Sequence, residues 1–465
     1  MTKEVLAHFD AIRANPRGRR IGVLGLGTSG RAMAMYLVHR GAHVVAADRR
    51  SNLNDPELIQ MGVELRLGDM SASTFADVET LAISPGADPR QIAVRAAADR
   101  ETPVVGELEL AGTLPARVLA ITGTNGKSTA TALSGELVKA AGKSAFVGAN
   151  LGDPVLGWLD RHDRRDVAVL ELSSYQLETA YRFVADVGVM LNVTPDHLDR
   201  YDDMTDYAAA KARLIANLGK DGVAVLNADD PLVTKMAPDC AGKIYWFSTH
   251  SPSVPASGAF VQNDQLVFCG ELADWEPISL AHPRLLGRHN RENAAAALLA
   301  VRGLDIGARP EDLIRGYLGF SGLAHRLEIV DEVNGVLYVN DSKATNDDAA
   351  AIAVSAMTRP VVLLLGGRDK AGGYARVRAE AAAKARLVIV YGEAGDLIAG
   401  ALADHPGMMR VAGFAQAFAT ATQSAQKGEV VLLAPACSSF DEFTDYKARG
   451  ERFRALTRVL RGNAP

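Results

Sequence analysis

The sequence predicts an α/β protein with mostly parallel sheets. Short apolar runs alternate with alanine-rich helical stretches through most of the 465 residues, and this alternation is typical of βαβ units. Two glycine-rich turns, each between an apolar run and a helix, add the signal of a nucleotide-binding protein. A chain of this length is expected to hold roughly three domains.

The apolar runs are the predicted strands. In chain order they are RRIGVLGLG, AHVVAAD, TLAISPG, RVLAITG, DVAVLEL, VGVMLNV, GVAVLNA, GVLYVND, VVLLLGG, RLVIVYG and VVLLAPA. One stretch, residues 243–283, breaks the rhythm with KIYWFS and AFVQNDQLVFCG. We predict a hairpin-like insertion there, with Asn263 and Asp264 at its turn. Turn-rich connections near residues 108 and 323 predict domains at 1–108, 109–322 and 323–465.

Composition excludes several classes of protein. Hydrophobic residues make up 48% and charged residues 23%, so the chain can bury a core. The formal charge of −5 argues against a nucleic-acid partner. There is no apolar signal segment and no run long enough to span a membrane, so we expect a cytoplasmic protein. Cys240, Cys269 and Cys437 are too few and too far apart to encode a disulfide framework or a C-x-x-C metal site.

The first glycine-rich turn is Gly25-x-Gly27-x-x-Gly30, with Asp48 at the end of the next predicted strand. This is the dinucleotide-binding pattern, in which glycines allow a tight turn and phosphate meets a helix N-terminus. Taken alone, it indicates a nicotinamide-dependent enzyme. A glycine-rich turn without a ligand is the alternative.

The second glycine-rich turn is GTNGKST, residues 123–129. Its spacing is shorter than the usual G-x-x-x-x-G-K-[ST] phosphate loop. Glycines still let backbone N–H groups face an anion, and Lys127 supplies a cation. Ser128 or Thr129 can place a hydroxyl on Mg²⁺. A chance Gly-Lys-Ser is the alternative, which the flanking strand and helix disfavour.

Polar side chains follow two further strands of the central block. Glu171 follows one run, and Asn192, Asp196, His197 and Asp199 follow another. Ligands of parallel sheets gather at the carboxyl ends of strands, so these residues and Lys127 should share one edge. A carboxylate there can bind Mg²⁺. A solvated strand end and an ordinary loop histidine remain the alternatives.

Lys211 interrupts an apolar helical stripe of Tyr207, Leu214, Ile215 and Leu218. A lysine in such a stripe either extends its ammonium to solvent or lies in a site where its charge is altered or paired. The spacing leaves both alternatives open.

The third block repeats the pattern of polar strand ends. The segments are NDSKATN, GGRDK and PACSSFDEF, beginning at Asn340, Gly366 and Pro435. Each segment could be merely a polar strand end, but three in one domain predict a cleft lined with cations and hydroxyls, suited to anionic substrates.

With these motifs in view, nearly the whole chain resembles the Mur ligase family, ATP-dependent amino-acid-adding enzymes of peptidoglycan synthesis. The marks are GTNGKST, ELSSYQLE, NVTPDHLDRY, YAAAKARL, GRHNRENAAAA, AHRLE, NDSKATN, GGRDK and PACSSFDEF. The last three are most similar to the members that add D-glutamate to UDP-N-acetylmuramoyl-L-alanine. The resemblance implies two Rossmann-like terminal domains around a central phosphate-loop domain with a small antiparallel insertion.

The resemblance also implies roles for residues around ATP. Gly123, Thr124, Asn125, Gly126, Lys127, Ser128 and Thr129 would hold the phosphates, and Asn290, Asn293, His325, Arg326 and Asp341 would frame the nucleoside. Two Mg²⁺ ions would be served by Ser128 and Glu171, and by His197 and Lys211. In the family this lysine is carbamylated, which would make it anionic.

Two further sets follow from the resemblance. The UDP-linked substrate would meet Thr28, Ser29, Asp48, Arg49, Arg50, Ser84, Pro85, Gly86, Asn150 and Gln176, with His197 near its muramoyl-alanine end. D-glutamate would meet Lys343, Thr345, Lys370, Ser439 and Tyr446. At the position that Tyr446 occupies, phenylalanine is expected in the family as often as tyrosine.

The implied reaction forms an amide through an acyl phosphate on small-molecule substrates, and the family suggests a monomer. Three alternatives stay open: a nicotinamide-dependent dehydrogenase, another amide ligase of the superfamily including those acting on folate, and a non-catalytic nucleotide sensor.

Overall fold

The computed structural model describes residues 2–68, 70–197, 200–250, 253–370 and 373–462. It divides into two compact units, one of Met1–Leu280 with Glu292–Gly319 and one of Ala281–Arg291 with Phe320–Pro465. Two sheets lie in the first unit and one in the second. The bounds predicted for three domains remain a prediction, although each predicted domain contains one sheet.

The first sheet has five parallel strands in the order β3-β2-β1-β4-β5. Its strands are β1 (Arg20–Leu24), β2 (His43–Asp48), β3 (Glu64–Leu67), β4 (Thr80–Ile83) and β5 (Val104–Val105). Its helices are α1 (Lys3–Ala14), α2 (Thr28–His39), α3 (Pro56–Gln60), α4 (Ile92–Asp99) and α5 (Glu107–Ala111). Strand order reverses between β1 and β4, and ligands of parallel sheets bind at such a crevice.

The second sheet has the order β14-β13-β12-β11-β10-β9-β6-β8-β7. Its strands are β6 (Arg117–Thr122), β7 (Ala145–Ala149), β8 (Val167–Glu171), β9 (Val187–Met190), β10 (Val223–Asn227), β11 (Lys243–Ser248), β12 (Gly258–Gln262), β13 (Gln265–Cys269) and β14 (Ile278–Ser279). Its helices are α6 (Lys127–Ala140), α7 (Val155–Asp160), α8 (Ser174–Leu177), α9 (Met204–Ala216), α10 (Pro231–Thr234), α11 (Arg288–Gly303) and α12 (Pro310–Gly319). Because β6 lies between β8 and β9, the polar residues that follow these three strands meet at one edge.

The antiparallel insertion is confirmed but is smaller than predicted. β12 and β13 pair antiparallel around Asn263 and Asp264, whose φ angles of 51° and 59° suit a tight hairpin turn. The preceding run KIYWFS is instead β11, which pairs parallel with β10. Its buried Trp246 and Phe247 make it a strand of the parallel core rather than of the hairpin.

The third sheet has the order β15-β16-β20-β17-β18-β19, in which only β15 is antiparallel. Its strands are β15 (Glu328–Val333), β16 (Val336–Asn340), β17 (Val361–Gly366), β18 (Ala385–Tyr391), β19 (Met408–Arg410) and β20 (Val430–Leu433). Its helices are α13 (Asp347–Ser355), α14 (Ala375–Lys384), α15 (Gly395–Ala401), α16 (Phe414–Ser424) and α17 (Tyr446–Gly462). Since β20 lies between β16 and β17, the three predicted polar segments follow adjacent strands.

The strands missing from the predicted runs lie at sheet edges. They are β3 and β5 in the first sheet, β7 and β14 in the second, and β15 and β19 in the third. Among the described residues, no helix is both long and apolar enough to cross a membrane.

Candidate nucleotide and substrate sites

The turn at residues 123–128 connects β6 to α6 and is shaped by two glycines. Gly126 has φ 85°, and a Cβ there would lie 2.1 Å from the Asn293 Oδ1 atom. A Cβ on Gly123 would lie 2.9 Å from the Leu191 Cβ atom. Any larger residue would therefore distort the loop, whose backbone N–H groups and following helix suit a phosphate.

Asn192 holds this loop from the end of β9. Its Oδ1 atom accepts hydrogen bonds from the backbone N–H groups of Thr124 at 3.1 Å and Asn125 at 2.8 Å. Its side-chain amide donates to the Asn125 carbonyl at 3.2 Å. The sequence marked Asn192 only as a polar strand end, and the structure gives it a role in shaping the phosphate loop.

Two lysines converge on one carbonyl of the loop. The Lys127 Nζ atom donates to Gly123 O at 2.8 Å and to Thr124 O at 2.7 Å, and the Lys211 Nζ atom donates to Gly123 O at 2.8 Å. Lys211 is only 1% exposed, so the solvent-directed alternative is wrong. Burial, reinforced by the charge of Lys127, lowers the pKa of Lys211 to about 6, although Asp196 and Glu171 oppose the shift.

Glu171 ends β8 with its carboxylate buried beside this loop. The Asn150 side-chain amide donates to Oε1 at 2.6 Å, while Oε2 is buried without a hydrogen-bonding partner. A buried anionic oxygen of this kind is costly unless a cation or donor satisfies it. Glu171 thus fits a cation, and Ser128 and Thr129 lie in the first turn of α6.

His197 lies next to the same cluster in an irregular loop with φ 55°. Its Nδ1 atom is 2.9 Å from the Tyr175 hydroxyl, and its ring centroid is 6.3 Å from that of Tyr207. The Tyr207 hydroxyl is 3.0 Å from Thr124 Oγ1, and its ring faces the Lys211 ammonium at 4.8 Å. Asp199 lies outside the described residues.

Within the described parts of the chain, no three His, Cys, Asp or Glu side chains converge to hold an ion. Mg²⁺ commonly uses one or two carboxylates and completes its shell with waters and substrate phosphates. The predicted metal residues are compatible with such a site.

A cavity of about 540 Å³ opens at the carboxyl ends of β1, β2 and β4. The ten residues predicted to bind the UDP-linked substrate all line it: Thr28, Ser29, Asp48, Arg49, Arg50, Ser84, Pro85, Gly86, Asn150 and Gln176. Asp88 and Gln91 also line it, although no motif in the sequence marked them. Residues after β7 and in α8 complete the wall, so the cavity draws on two sheets of the first unit.

Asp48 is fully engaged by the protein itself. Its two oxygens accept from Leu26 N at 2.7 Å, and from the backbone N, Nε and Nη2 atoms of Arg50 at 3.0, 2.8 and 2.9 Å. The Arg50 side chain is the main cause of a pKa of Asp48 well below its usual range. A carboxylate offers about four lone-pair sites. Asp48 therefore orients Arg50 at the cavity instead of offering a free acceptor to the ribose hydroxyl of a dinucleotide, which argues against the nicotinamide interpretation.

The predicted amino-acid residues form two pairs in the second unit. The Lys343 Nζ atom is 3.3 Å from the Tyr446 hydroxyl and 4.4 Å from its ring centroid. The Lys370 Nζ atom donates to Thr345 Oγ1 at 3.2 Å. The buried Ser439 follows the intervening strand β20.

The residues predicted around the nucleoside are divided between the units. Asn293 meets the phosphate loop in the first unit, while Asn290 donates to Leu286 O at 2.7 Å in the second. Asp341 is buried in the second unit, and burial raises its pKa to about 7 against the effect of Arg326. The His325 Nδ1 atom lies 3.0 Å from the Asn340 side-chain amide.

Family models match three successive parts of the chain. The Mur ligase MurD-like N-terminal domain matches residues 19–106, the Mur ligase middle domain residues 121–301, and the Mur ligase glutamate ligase domain residues 325–437. The chain belongs to the Mur ligase family. Membership of this family confirms the predicted α/β fold class and the prediction of an ATP-dependent amide-bond ligase.

Curated relatives match along almost their whole length. The chain is 38% identical to the UDP-N-acetylmuramoylalanine–D-glutamate ligase of Syntrophus aciditrophicus (strain SB), covering 95% of this chain and 98% of the relative. It is 41% identical to the enzyme of that name from Anaeromyxobacter dehalogenans (strain 2CP-C), covering 95% and 97%. These relatives span all three Mur ligase domains.

Solved structures of other Mur ligases share the fold. The UDP-N-acetylmuramate-alanine ligase of Thermotoga maritima has a TM-score of 0.57 at 18% identity, covering 95% of this chain and 99% of that one. The MurF ligase of the same organism, solved with ADP, has a TM-score of 0.56 at 17% identity, covering 96% of each chain. Membership of this ligase family makes the dehydrogenase interpretation wrong.

Proposed function

We propose that the protein joins D-glutamate to UDP-N-acetylmuramoyl-L-alanine at the expense of ATP, as a monomer in the cytoplasm, during peptidoglycan synthesis. The observation that carries this proposal is the 38–41% identity, over about 95% of the chain, to ligases of that name. The cavity at the first sheet supports it, because Arg49, Arg50 and a glycine-rich helix start line it and suit a nucleoside diphosphate.

The chemistry activates a carboxylate. The alanine carboxylate of the substrate attacks the γ-phosphorus of ATP, so that an acyl phosphate forms and ADP leaves. The amine of D-glutamate then attacks the acyl carbon, loses a proton, and expels phosphate from the tetrahedral intermediate. Lys127 and the backbone N–H groups at the start of α6 are the groups of this chain that would counter the charge on the transferring phosphoryl group.

We propose that two Mg²⁺ ions are bound, by Ser128 and Glu171 and by His197 and Lys211. The ions would neutralise phosphate charge and act as Lewis acids. The unpartnered Oε2 atom of Glu171 supports the first set. For the second, the buried amine of Lys211 has a pKa of about 6 and is largely neutral at physiological pH. A neutral amine can add CO₂ and lose a proton to become an anionic carbamate.

We assign the remaining predicted residues to three subsites. The UDP-linked substrate would be bound by the ten residues named above for the cavity: Thr28, Ser29, Asp48, Arg49, Arg50, Ser84, Pro85, Gly86, Asn150 and Gln176. Asn290, Asn293, His325, Arg326 and Asp341 would frame the nucleoside of ATP. The amino acid would be bound by Lys343, Thr345, Lys370, Ser439 and Tyr446. The contact of Lys343 with the Tyr446 hydroxyl supports a role for Tyr446 in this subsite.

The first experiment is phosphate release with Mg²⁺-ATP and UDP-N-acetylmuramoyl-L-alanine, in the presence of D-glutamate, L-glutamate or neither. Release that requires D-glutamate is expected. Release with a different amino acid would retain the chemistry and change the substrate, which is the remaining alternative within the superfamily. Absence of release with every amino acid would refute the proposal.

A further inference from the structure

A buried carboxylate outside every predicted site lies at the start of α5. Glu107 is 2% exposed, and its Oε1 atom accepts a hydrogen bond from the backbone N–H of Leu156 at 2.9 Å. Its Oε2 atom is buried without a hydrogen-bonding partner. A half-satisfied buried carboxyl lowers stability, so its presence calls for a reason other than folding.

The partner of Glu107 is the first turn of α7, which follows the cavity wall directly. Asn150, Gly152 and Pro154 line the cavity, and α7 begins at Val155. The first N–H groups of a helix have no partner within the helix and need an external acceptor. Glu107 supplies that acceptor, and thereby fixes the point from which the cavity wall enters α7.

The two helices joined by Glu107 also join the cores of two sheets. On α5, Leu108 packs into the core of the second sheet and Leu110 into that of the first. On α7, Leu156 packs into the core of the first sheet. The link between α5 and α7 therefore ties the part of the cavity wall after β7 to the first sheet, which carries the glycine-rich turn.

Gly106, the residue before Glu107, contacts the segment that carries another cavity-lining residue. A Cβ on Gly106 would lie 2.1 Å from Thr179 Oγ1, so only glycine permits this close approach. Thr179 in turn donates to the Gln176 carbonyl at 3.4 Å, and Gln176 lines the cavity. Glu107 therefore contacts the start of α7 next to Pro154, and Gly106 contacts Thr179, which bonds to Gln176.

We propose that Glu107 is a positioning residue of the substrate cavity. By fixing the start of α7 to α5, it sets the distance between the part of the wall after β7 and the part formed by the first sheet. This distance sets the affinity for the UDP-linked substrate. The nature of the ligand rests on the proposed function. Glu107 itself does not line the cavity.

The test compares three variants. Glu107→Leu removes the acceptor but fills the space, and Glu107→Gln keeps an acceptor. Because burial raises the pKa of Glu107 to about 7, an amide is a close match for its carboxyl group. Glu109→Gln is the matched control, since Glu109 is a buried carboxylate of the same helix that bonds to Arg182 and is not part of the cavity lining.

Affinity for UDP is measured by calorimetry, together with KM for each substrate, kcat and Tm. We expect Glu107→Leu to weaken UDP binding and raise KM for the nucleotide-sugar substrate about tenfold, with kcat and KM for ATP changed less than about threefold. Glu107→Gln and Glu109→Gln should keep UDP affinity within about threefold of wild type.

The outcomes separate this inference from the proposed function. Equal UDP affinity in wild type and Glu107→Leu would overturn the inference alone, as would an equal loss in the Glu109→Gln control. UDP binding without turnover would refute the proposed function alone. If wild-type protein does not bind UDP, both are wrong.

Discussion

The turn at Gly25–Gly30 and the turn at Gly123–Ser128 both carry a parallel strand into a helix, but their surroundings differ. Beside the first, the acidic group Asp48 is saturated by Leu26 and Arg50, and a cavity of about 540 Å³ opens. Beside the second, the lysines Lys127 and Lys211 share the Gly123 carbonyl.

A glycine-rich turn therefore indicates a place suited to an anion, but it does not indicate the chemistry around that place. Both turns offer backbone N–H groups at a helix start. The first is surrounded by groups that can bind and orient a ligand. The second adds Lys127 and the unpartnered Oε2 of Glu171, which can stabilise charge that develops during phosphoryl transfer. Substitutions beside each turn can therefore separate ligand binding from phosphoryl transfer.

Replacing Lys127 with alanine should lower kcat about 10³-fold, because its charge is placed for the transferring phosphoryl group. UDP affinity, measured by calorimetry, should not change. The control is Lys139→Ala on the same helix, since Lys139 is exposed and pairs with Glu136. A parallel loss of UDP binding in the Lys127 variant would show that the two turns are not separate sites.

Gly126→Ala should raise KM for ATP about tenfold and destabilise the fold by about 1–2 kcal/mol, since φ is 85° and the new Cβ would lie 2.1 Å from Asn293 Oδ1. Gly27→Ala is the counterpart in the first turn, where φ is −74° and no atom lies within 4 Å of a new Cβ. Its Tm should equal that of wild type. Thermal unfolding and ATP kinetics check both, and equal destabilisation would contradict the argument.

Asp48→Asn should weaken UDP binding about tenfold, because Arg50 loses the charge that orients its guanidinium at the cavity rim. Stability should also fall, by about 1–3 kcal/mol, because the buried amide NH2 group cannot accept the hydrogen bonds that one Asp48 oxygen accepts from Leu26 N or Arg50. Calorimetry with UDP and a thermal melt separate the two effects. NADH should bind neither protein, and NADH binding to wild type would revive the dinucleotide interpretation.

Lys211→Met should raise Tm by about 2 °C near neutral pH, because it removes a buried amine. Burial lowers the pKa of Lys211 to about 6 from an ordinary 10.5. Between these values the unfolded chain binds a proton that the folded chain does not, so wild-type stability rises with pH. The advantage of the variant should therefore be greatest at low pH and shrink as pH rises toward 10.5.

Melts in bicarbonate-free buffer over this pH range check that prediction, with Lys139→Met as the exposed control. A constant difference between Lys211→Met and wild type at every pH would show that Lys211 has an ordinary pKa. Added bicarbonate should change the wild-type melt and leave the Lys211→Met melt unchanged if the amine is carbamylated.

The apolar pattern predicted the interior of each sheet and missed its edges. β3, β5, β7, β14, β15 and β19, which the runs left out, are the two edges of each of the three sheets. Edge strands are covered on fewer sides and are often kept short or polar, so they lack a continuous apolar run. β5 and β14, for example, have only two residues each.

The residues of the candidate sites could likewise be predicted only in part. Motif spacing marked the phosphate loop, because glycine turns leave a local signal, and the resemblance to the Mur ligase family marked the ten cavity residues. Glu107 left no such signal, since its partner Leu156 lies 49 positions away in the chain. Tyr207 was visible only as part of an apolar stripe, and its bond to Thr124 depends on the packing of α9 against the sheet.

The fold class, the interior strands of each sheet, the two glycine-rich turns and the ligase family were all readable from the sequence. Each of these depends on short-range patterns, which the chain carries wherever it folds. Tertiary structure alone decided that Lys211 is buried rather than exposed, that Asp48 is saturated, and that Glu107 joins two cavity walls. These depend on burial and on hydrogen-bonding partners distant in sequence, because the free energy of a polar group is set by what surrounds it.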